Sequence, residues 1–187
     1  MILSVIGETD KRPVMYTLLK MCQYLGDVLL ITNDRHYARI IEEVEEDVEV
    51  IAGHFQNVFI VVTDLTPDEA SQAVGYNNDD YEYIIYDNKI DPDGDITIYV
   101  AGCEMSVWES EELEYFEEDE YSTIRLGFGK GNIPLTGKMF QNCEIIEGKK
   151  ILIPVDPRIS ATLVKLLSSA LGVPPKTLEK VVNSKPK

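Results

Sequence analysis

Short apolar runs rich in β-branched residues alternate with polar, helix-patterned segments, and this alternation is the strongest constraint on what the 187-residue chain can fold into. ILSVIG (2–7) reads as a buried strand and DVLLIT (27–32) as a second. Between them Val14, Leu18, Met21, Cys22 and Leu25 keep helical spacing. Pro13 suits the first turn of that helix, Thr9 or Asp10 can cap it, and Gly26 closes it in the manner of a left-handed C-terminal glycine. Strand, helix and strand within about 31 residues match the length of a βαβ unit.

The alternation continues. Residues 35–46 predict an amphipathic helix with Ile40, Ile41 and Val44 inward. DVEVIAG can form a short strand and NVFIVVTD (57–64) a strong one. In TPDEASQAV (66–74), Thr66 is a cap, Pro67 takes the first helical position, and the early acids suit the helix dipole. YEYIIYDN (81–88) and ITIYVAG (96–102) are further strands around the turn-rich KIDPDGD. Residues 106–121 have helical composition, STIRLGFG (122–129) begins as a strand, KKILIPVDP (149–157) is another, and 158–172 is an amphipathic helix ended by Gly172 and Pro174. That helix carries Ile159, Leu163, Leu166, Leu167 and Leu171 on one side. A basic tail covers about 175–187. The pattern predicts one α/β domain over 1–187, a doubly wound, mostly parallel, Rossmann-like sheet flanked by helices.

Charge narrows the function classes. Residues 1–124 hold 29 Asp/Glu and 6 Lys/Arg, a net −23, and residues 125–187 hold 4 and 11, a net +7. So acidic a chain repels phosphate backbones, which argues against direct nucleic-acid binding. No apolar run approaches the ~20 residues of a membrane span. The opening lacks a basic region and a long apolar run, so no secretory signal is expected. Cys22, Cys103 and Cys143 form no disulfide framework and no C-x-x-C pattern, which favours a reducing cytosol.

Three stretches resemble the MinD/ParA family of deviant P-loop ATPases. ILSVIGETDKRPVMYTLLKMCQYLGDVLLITND follows the family's strand, phosphate loop, helix and strand in length and order. YEYIIYDN is similar to its second acidic motif, and ILIPVDPRISATLVKLL to its late strand, base-facing loop and following helix. The resemblance implies a P-loop NTPase-like fold, action in assembly, partition or localisation, and a homodimer. It places a nucleotide site at Gly7, Lys11, Arg12, Asp34, Asp87 and Asp156.

The departures from the family are chemical. A phosphate loop needs glycines so that backbone N–H groups can approach, and a Lys followed by Ser or Thr for charge and magnesium. Here Gly7 is followed by no glycine, Glu8 and Asp10 bring negative charge, Pro13 removes a donor, and no Ser or Thr follows Lys11. Two like charges about 4 Å apart repel by about 1 kcal/mol in water and about 4 kcal/mol at a protein surface. The family's hydrolytic aspartate follows the second strand's apolar run; Thr32 stands there. The expected site is a degenerate one, with no retained cofactor.

Other constellations are weaker. GFGKGN (127–132) can form an anion nest around Lys130 or a flexible loop. His36 and His54 have no second ligand at metal-like spacing, and nothing near Cys103 would activate a thiol. Residues 104–120 hold nine acids and no Lys or Arg, with aromatics interleaved. They read as a solvated helix face, or as a surface where Trp108 and Tyr115 anchor a partner steered by Glu111, Glu112, Glu114, Glu117, Glu118, Asp119 and Glu120. Three functions follow: a non-hydrolysing MinD/ParA-like protein working through contacts with a basic protein partner; an acidic mimic of nucleic acid that occupies a basic protein's groove; or an ATPase with an unorthodox loop using Lys11, Arg12 or Lys130.

Overall fold

The computed structural model describes residues 1–7, 11–46, 50–88, 94–101, 122–125 and 157–183. The helical reading of 106–121, the GFGKGN loop and the body of the strand at 149–157 lie outside them, as do Thr9 and Asp10. The chain divides into two compact units, Met1–Ile6 with Cys22–Thr97 and Gly7–Met21 with Ile98–Lys187.

The first unit is built on six strands: β1 (Ile2–Ile6), β2 (Val28–Thr32), β3 (Glu42–Glu46), β4 (Ile51–Phe55), β5 (Val58–Val62) and β6 (Tyr83–Asp87). Their order is β3-β4-β5-β2-β6-β1. β5, β2, β6 and β1 run parallel, while β4 and β3 add antiparallel at one edge. This is the expected α/β, mostly parallel, Rossmann-like class. All five residues of β2 are buried, as continuous apolar runs in parallel sheets require. The opening βαβ unit differs in one respect, since β6 lies between β1 and β2. That insertion brings Thr32 and Asp87, 55 positions apart in the chain, into register.

The helix expected over 35–46 does not form. A 3₁₀ turn, Tyr37–Arg39, is followed by β3. Helix propensity differs by only a few tenths of a kcal/mol per residue among most residue types. Against it, Glu42, Glu43, Glu45, Glu46, Asp47 and Glu49 would repel at i,i+3 and i,i+4 spacing in a helix. Pairing with the outer edge of β4 satisfies the backbone instead.

Helix α1 (Arg12–Leu25) begins with Val14 and Met15 donating to the Lys11 carbonyl, at 2.9 and 3.0 Å. It buries Val14, Met15, Leu18, Met21 and Cys22. Gly26 closes it without a left-handed backbone, unlike Gly75 and Gly172. A Cβ there would meet the tip of the exposed Glu82 side chain at 2.9 Å, which that side chain can relieve by moving. Burial pushes the Cys22 thiol up to about 12, from an ordinary value of 9.0. The folded protein therefore keeps its proton after the unfolded chain has lost it, so stability is full below pH 9 and falls as pH rises toward 12. Urea unfolding at stepped pH should show this thiol's loss approaching about 1.4 kcal/mol per pH unit, so that Cys22→Ala falls less steeply between about pH 9 and 10, below the range in which the buried tyrosines add their own loss.

Helix α2 (Pro67–Val74) has the expected start. The Thr66 side chain accepts from the Glu69 N–H, and the Thr66 N–H donates to Glu69 Oε2 at 2.9 Å. The Thr66 N–H and then the Thr66 hydroxyl, both donating to Glu69 Oε2, hold the exposed carboxyl below its ordinary range, so its contribution is present above pH 4.5 and lost on acidification. Thr66→Ala should lower unfolding free energy by about 1 kcal/mol, read as an earlier urea midpoint.

In the second unit, β7 (Ile96–Ala101) and β8 (Ser122–Arg125) pair in parallel. Helix α3 (Pro157–Ala170) buries Leu163, Val164 and Leu167. It ends in a Schellman pattern: Gly172 is left-handed, Val173 N–H donates to the Ser168 carbonyl and Gly172 N–H to that of Ser169. The stretch read as a basic tail is instead a helix, α4 (Pro175–Asn183). Leu178, Val181 and Val182, at i, i+3 and i+4, are all buried, which outweighs the solvating effect of its lysines. Lys20 Nζ donates to the Val182 carbonyl at 2.7 Å, placing a cation at the helix's negative end.

Candidate functional site

In a doubly wound sheet, ligands meet the carboxyl ends of the strands. In the first unit those ends are Ile6, Thr32, Val62 and Asp87. A polar cavity of about 210 Å³ opens there, lined by Asn33, Thr63, Asp64, Leu65, Tyr86, Asp87 and Asn88. β2 and β6 present Thr32 and Asp87 side by side. Both are buried, Thr32 completely. Thr32 Oγ1 donates to Asp87 Oδ2 at 2.6 Å and accepts from the Asp34 N–H at 3.0 Å. A hydroxyl has one proton to donate, and here it goes to the carboxylate.

Asp34 serves its own loop. Its Oδ1 accepts from the His36 N–H at 2.9 Å and lies 2.6 Å from His36 Nδ1. Its carbonyl accepts from Tyr37 and so opens the 3₁₀ turn. Around the cavity, Thr63 Oγ1 accepts from the Leu65 N–H, and Asn88 Nδ2 donates to Ser4 Oγ at 3.2 Å. The described lining thus has two carboxylates, Asp64 and Asp87, and no Lys or Arg. That field attracts cations and repels phosphates. Among the described residues no group of three or more His, Cys, Asp and Glu side chains could hold a metal ion. His54 stacks at 4.8 Å on Phe59, across the β4–β5 pair.

Gly7 belongs to the second unit. Its φ is +120°, and an added Cβ would lie 2.4 Å from the Val100 carbonyl oxygen. The close approach that requires glycine here is to a strand of the same unit. Lys11 and Arg12 open α1. Asp156 lies outside the described residues, and so do Trp108, Glu111, Glu112, Glu114, Tyr115, Glu117, Glu118, Asp119 and Glu120.

Of the six residues expected at a nucleotide site, Asp34 and Asp87 are therefore brought together, through Thr32. Asn33, Thr63, Asp64 and Asn88 were not singled out by the sequence. Their signal was position alone, one or two residues past a β-branched run.

No protein-family model and no curated protein sequence matches the chain. Solved structures similar to it include the following two. One is the MinC:MinD cell division protein complex of Aquifex aeolicus, 10% identical, covering 100% of this chain and 97% of that one, with a TM-score of 0.45. The other is molybdopterin-guanine biosynthesis protein B, 13% identical, covering 71% and 88%, with a TM-score of 0.35. Likenesses this distant carry no activity over to this chain. No helix among the described residues is long and apolar enough to cross a membrane.

Proposed function

We propose that the chain is a non-hydrolysing, MinD/ParA-like protein that works in assembly, localisation or regulation through protein contacts. The observation that carries this reading is the Thr32–Asp87 hydrogen bond. The sequence resemblance places the hydrolytic aspartate at position 32, and the threonine there spends its only proton on the neighbouring carboxylate. The described lining of the cavity, acidic and without a cation, suits a triphosphate poorly. Gly7, Lys11, Arg12, Asp34, Asp87 and Asp156 are then the remnant of a nucleotide site, with no cofactor resident. The working surface is the acidic stretch with Trp108, Tyr115 and the carboxylates of 111–120, turned to a partner with a basic surface, with a homodimer as a second use.

Calorimetric titration with ATP or GTP and magnesium is the direct test. The expected result is no micromolar binding and no phosphate release. Micromolar binding, or turnover lost in Asp87→Ala, would overturn the reading.

A second reading is an acidic inhibitor occupying a basic protein's nucleic-acid groove. It draws on the concentration of charge in the first unit, eighteen Asp/Glu against three Lys/Arg. A partner retained only at low salt and displaced by DNA would favour it.

A further inference from the structure

The excess of acid also falls unevenly on the two units. The first unit has eighteen acids and three bases, a net −15, whereas the second has fifteen and fourteen, a net −1. Within the first unit three aromatic side chains come together at the sheet end opposite the Asp87 cavity. Phe59 lies near the start of β5, and Tyr81 just before β6. Phe59 and Tyr81 are parallel to within 8° at 6.2 Å, and Tyr76 meets both edge-on, at 5.6 and 6.2 Å.

These rings pack on the core formed by Leu29, Val61 and Ile84, but they are only half-buried. Exposed Asp80 and Glu82 flank Tyr81 in the chain, and Glu82 turns its carboxylate to the Asp27 N–H. Burial raises the phenols of Tyr76 and Tyr81; the neighbouring Tyr81 and then Asp68 add to the first, and Asp80 and Asp27 to the second. The arrangement is held locally: Tyr76 Oη donates to the Pro67 carbonyl, Asn78 Nδ2 to Asp68 Oδ1, and the Asn77 side chain caps the turn that leads to Tyr81.

An aromatic face rimmed by carboxylates has a definite chemical complement. A planar cation can stack on the rings and donate to the acids together, which a guanidinium does and a strongly hydrated ammonium does poorly. We propose that the Phe59–Tyr76–Tyr81 face is a docking site for arginine side chains of a basic protein partner. It rests on the reading that this chain works through protein contacts, but uses other residues than the acidic stretch 111–120, at the opposite end of the sheet from Asp87.

The test is titration of the full chain with a blocked octapeptide of alternating arginine and glycine, and with its lysine counterpart, at low salt. NMR of the aromatic side chains reports the site and the affinity. The arginine peptide should shift the Phe59, Tyr76 and Tyr81 ring signals and bind about fivefold more tightly than the lysine peptide. Tyr81→Leu should abolish that preference, while Asp80→Asn weakens both peptides. Equal affinities, shifts only elsewhere, or no binding would overturn the proposal. The ring shifts need no variant, so the result stands even if Tyr81→Leu fails to fold. A protein that binds both magnesium–ATP and the arginine peptide keeps this site and loses the non-hydrolysing reading. One that binds neither does the reverse.

Discussion

Gly7→Ala is expected to destabilise the protein by about 3 kcal/mol or more, with no ligand present. Two causes act together. The backbone at Gly7 has φ +120°, a region in which a side chain is strained. The new methyl would also lie 2.4 Å from the Val100 carbonyl oxygen, and that oxygen belongs to backbone, which cannot swing aside like a side-chain tip. In a chain of this length such a loss lowers the melting temperature by roughly 6–12 °C. Gly75→Ala is the control. Its φ is +80°, but nothing lies within 4 Å of an added Cβ, so only the backbone strain of about 1 kcal/mol should appear. Thermal melts of both variants measure the contact by difference. Equal losses would mean that Gly7 is needed for its φ alone. No loss at Gly7 would leave close approach to a ligand as the reason for glycine there.

The sequence was most legible where one local signal had no competitor. Val28–Thr32 and Val58–Val62 are apolar runs with few alternatives to a buried strand. Thr66, Pro67 and Glu69 spell out a helix start that the structure reproduces bond for bond. Legibility failed where a non-local partner decided the outcome. Glu42–Glu46 looks helical by composition, and only the free edge of β4 makes it a strand. Residues 175–183 look like a solvated tail until Leu178, Val181 and Val182 find apolar surface to bury. The site followed the same rule. Its location past Thr32 and Asp87 could be read from strand ends, but the bond between them depends on β6 lying between β1 and β2. No periodicity encodes that insertion. The aromatic face was invisible for a similar reason, since Phe59, Tyr76 and Tyr81 come together only through strand pairing and the turn at Asn78–Asp80.

Thr32→Asp, which introduces the aspartate that the family resemblance implies at this position, is expected to destabilise the protein by about 3–5 kcal/mol at neutral pH and to yield no ATPase activity. Thr32 is fully buried, and its hydroxyl lies 2.6 Å from Asp87 Oδ2. A carboxylate there would face a second carboxylate across the same gap, with like charges where a donor had been. It would also disturb the bond that the Asp34 N–H makes to Thr32 Oγ1. Two comparison variants separate the causes. Thr32→Val keeps the shape and removes the donor, and should lose about 1–3 kcal/mol through the poorer solvation of the Asp87 carboxylate. Thr32→Ser keeps the donor and removes one methyl, and should lose about 1 kcal/mol. The order of loss by urea unfolding is therefore Asp, then Val, then Ser. Phosphate release with magnesium–ATP is followed in parallel. A stable Thr32→Asp variant would show that the site accommodates a second carboxyl group beside Asp87. Turnover in that variant would show that the phosphate-binding machinery is intact and that a single side chain had silenced it.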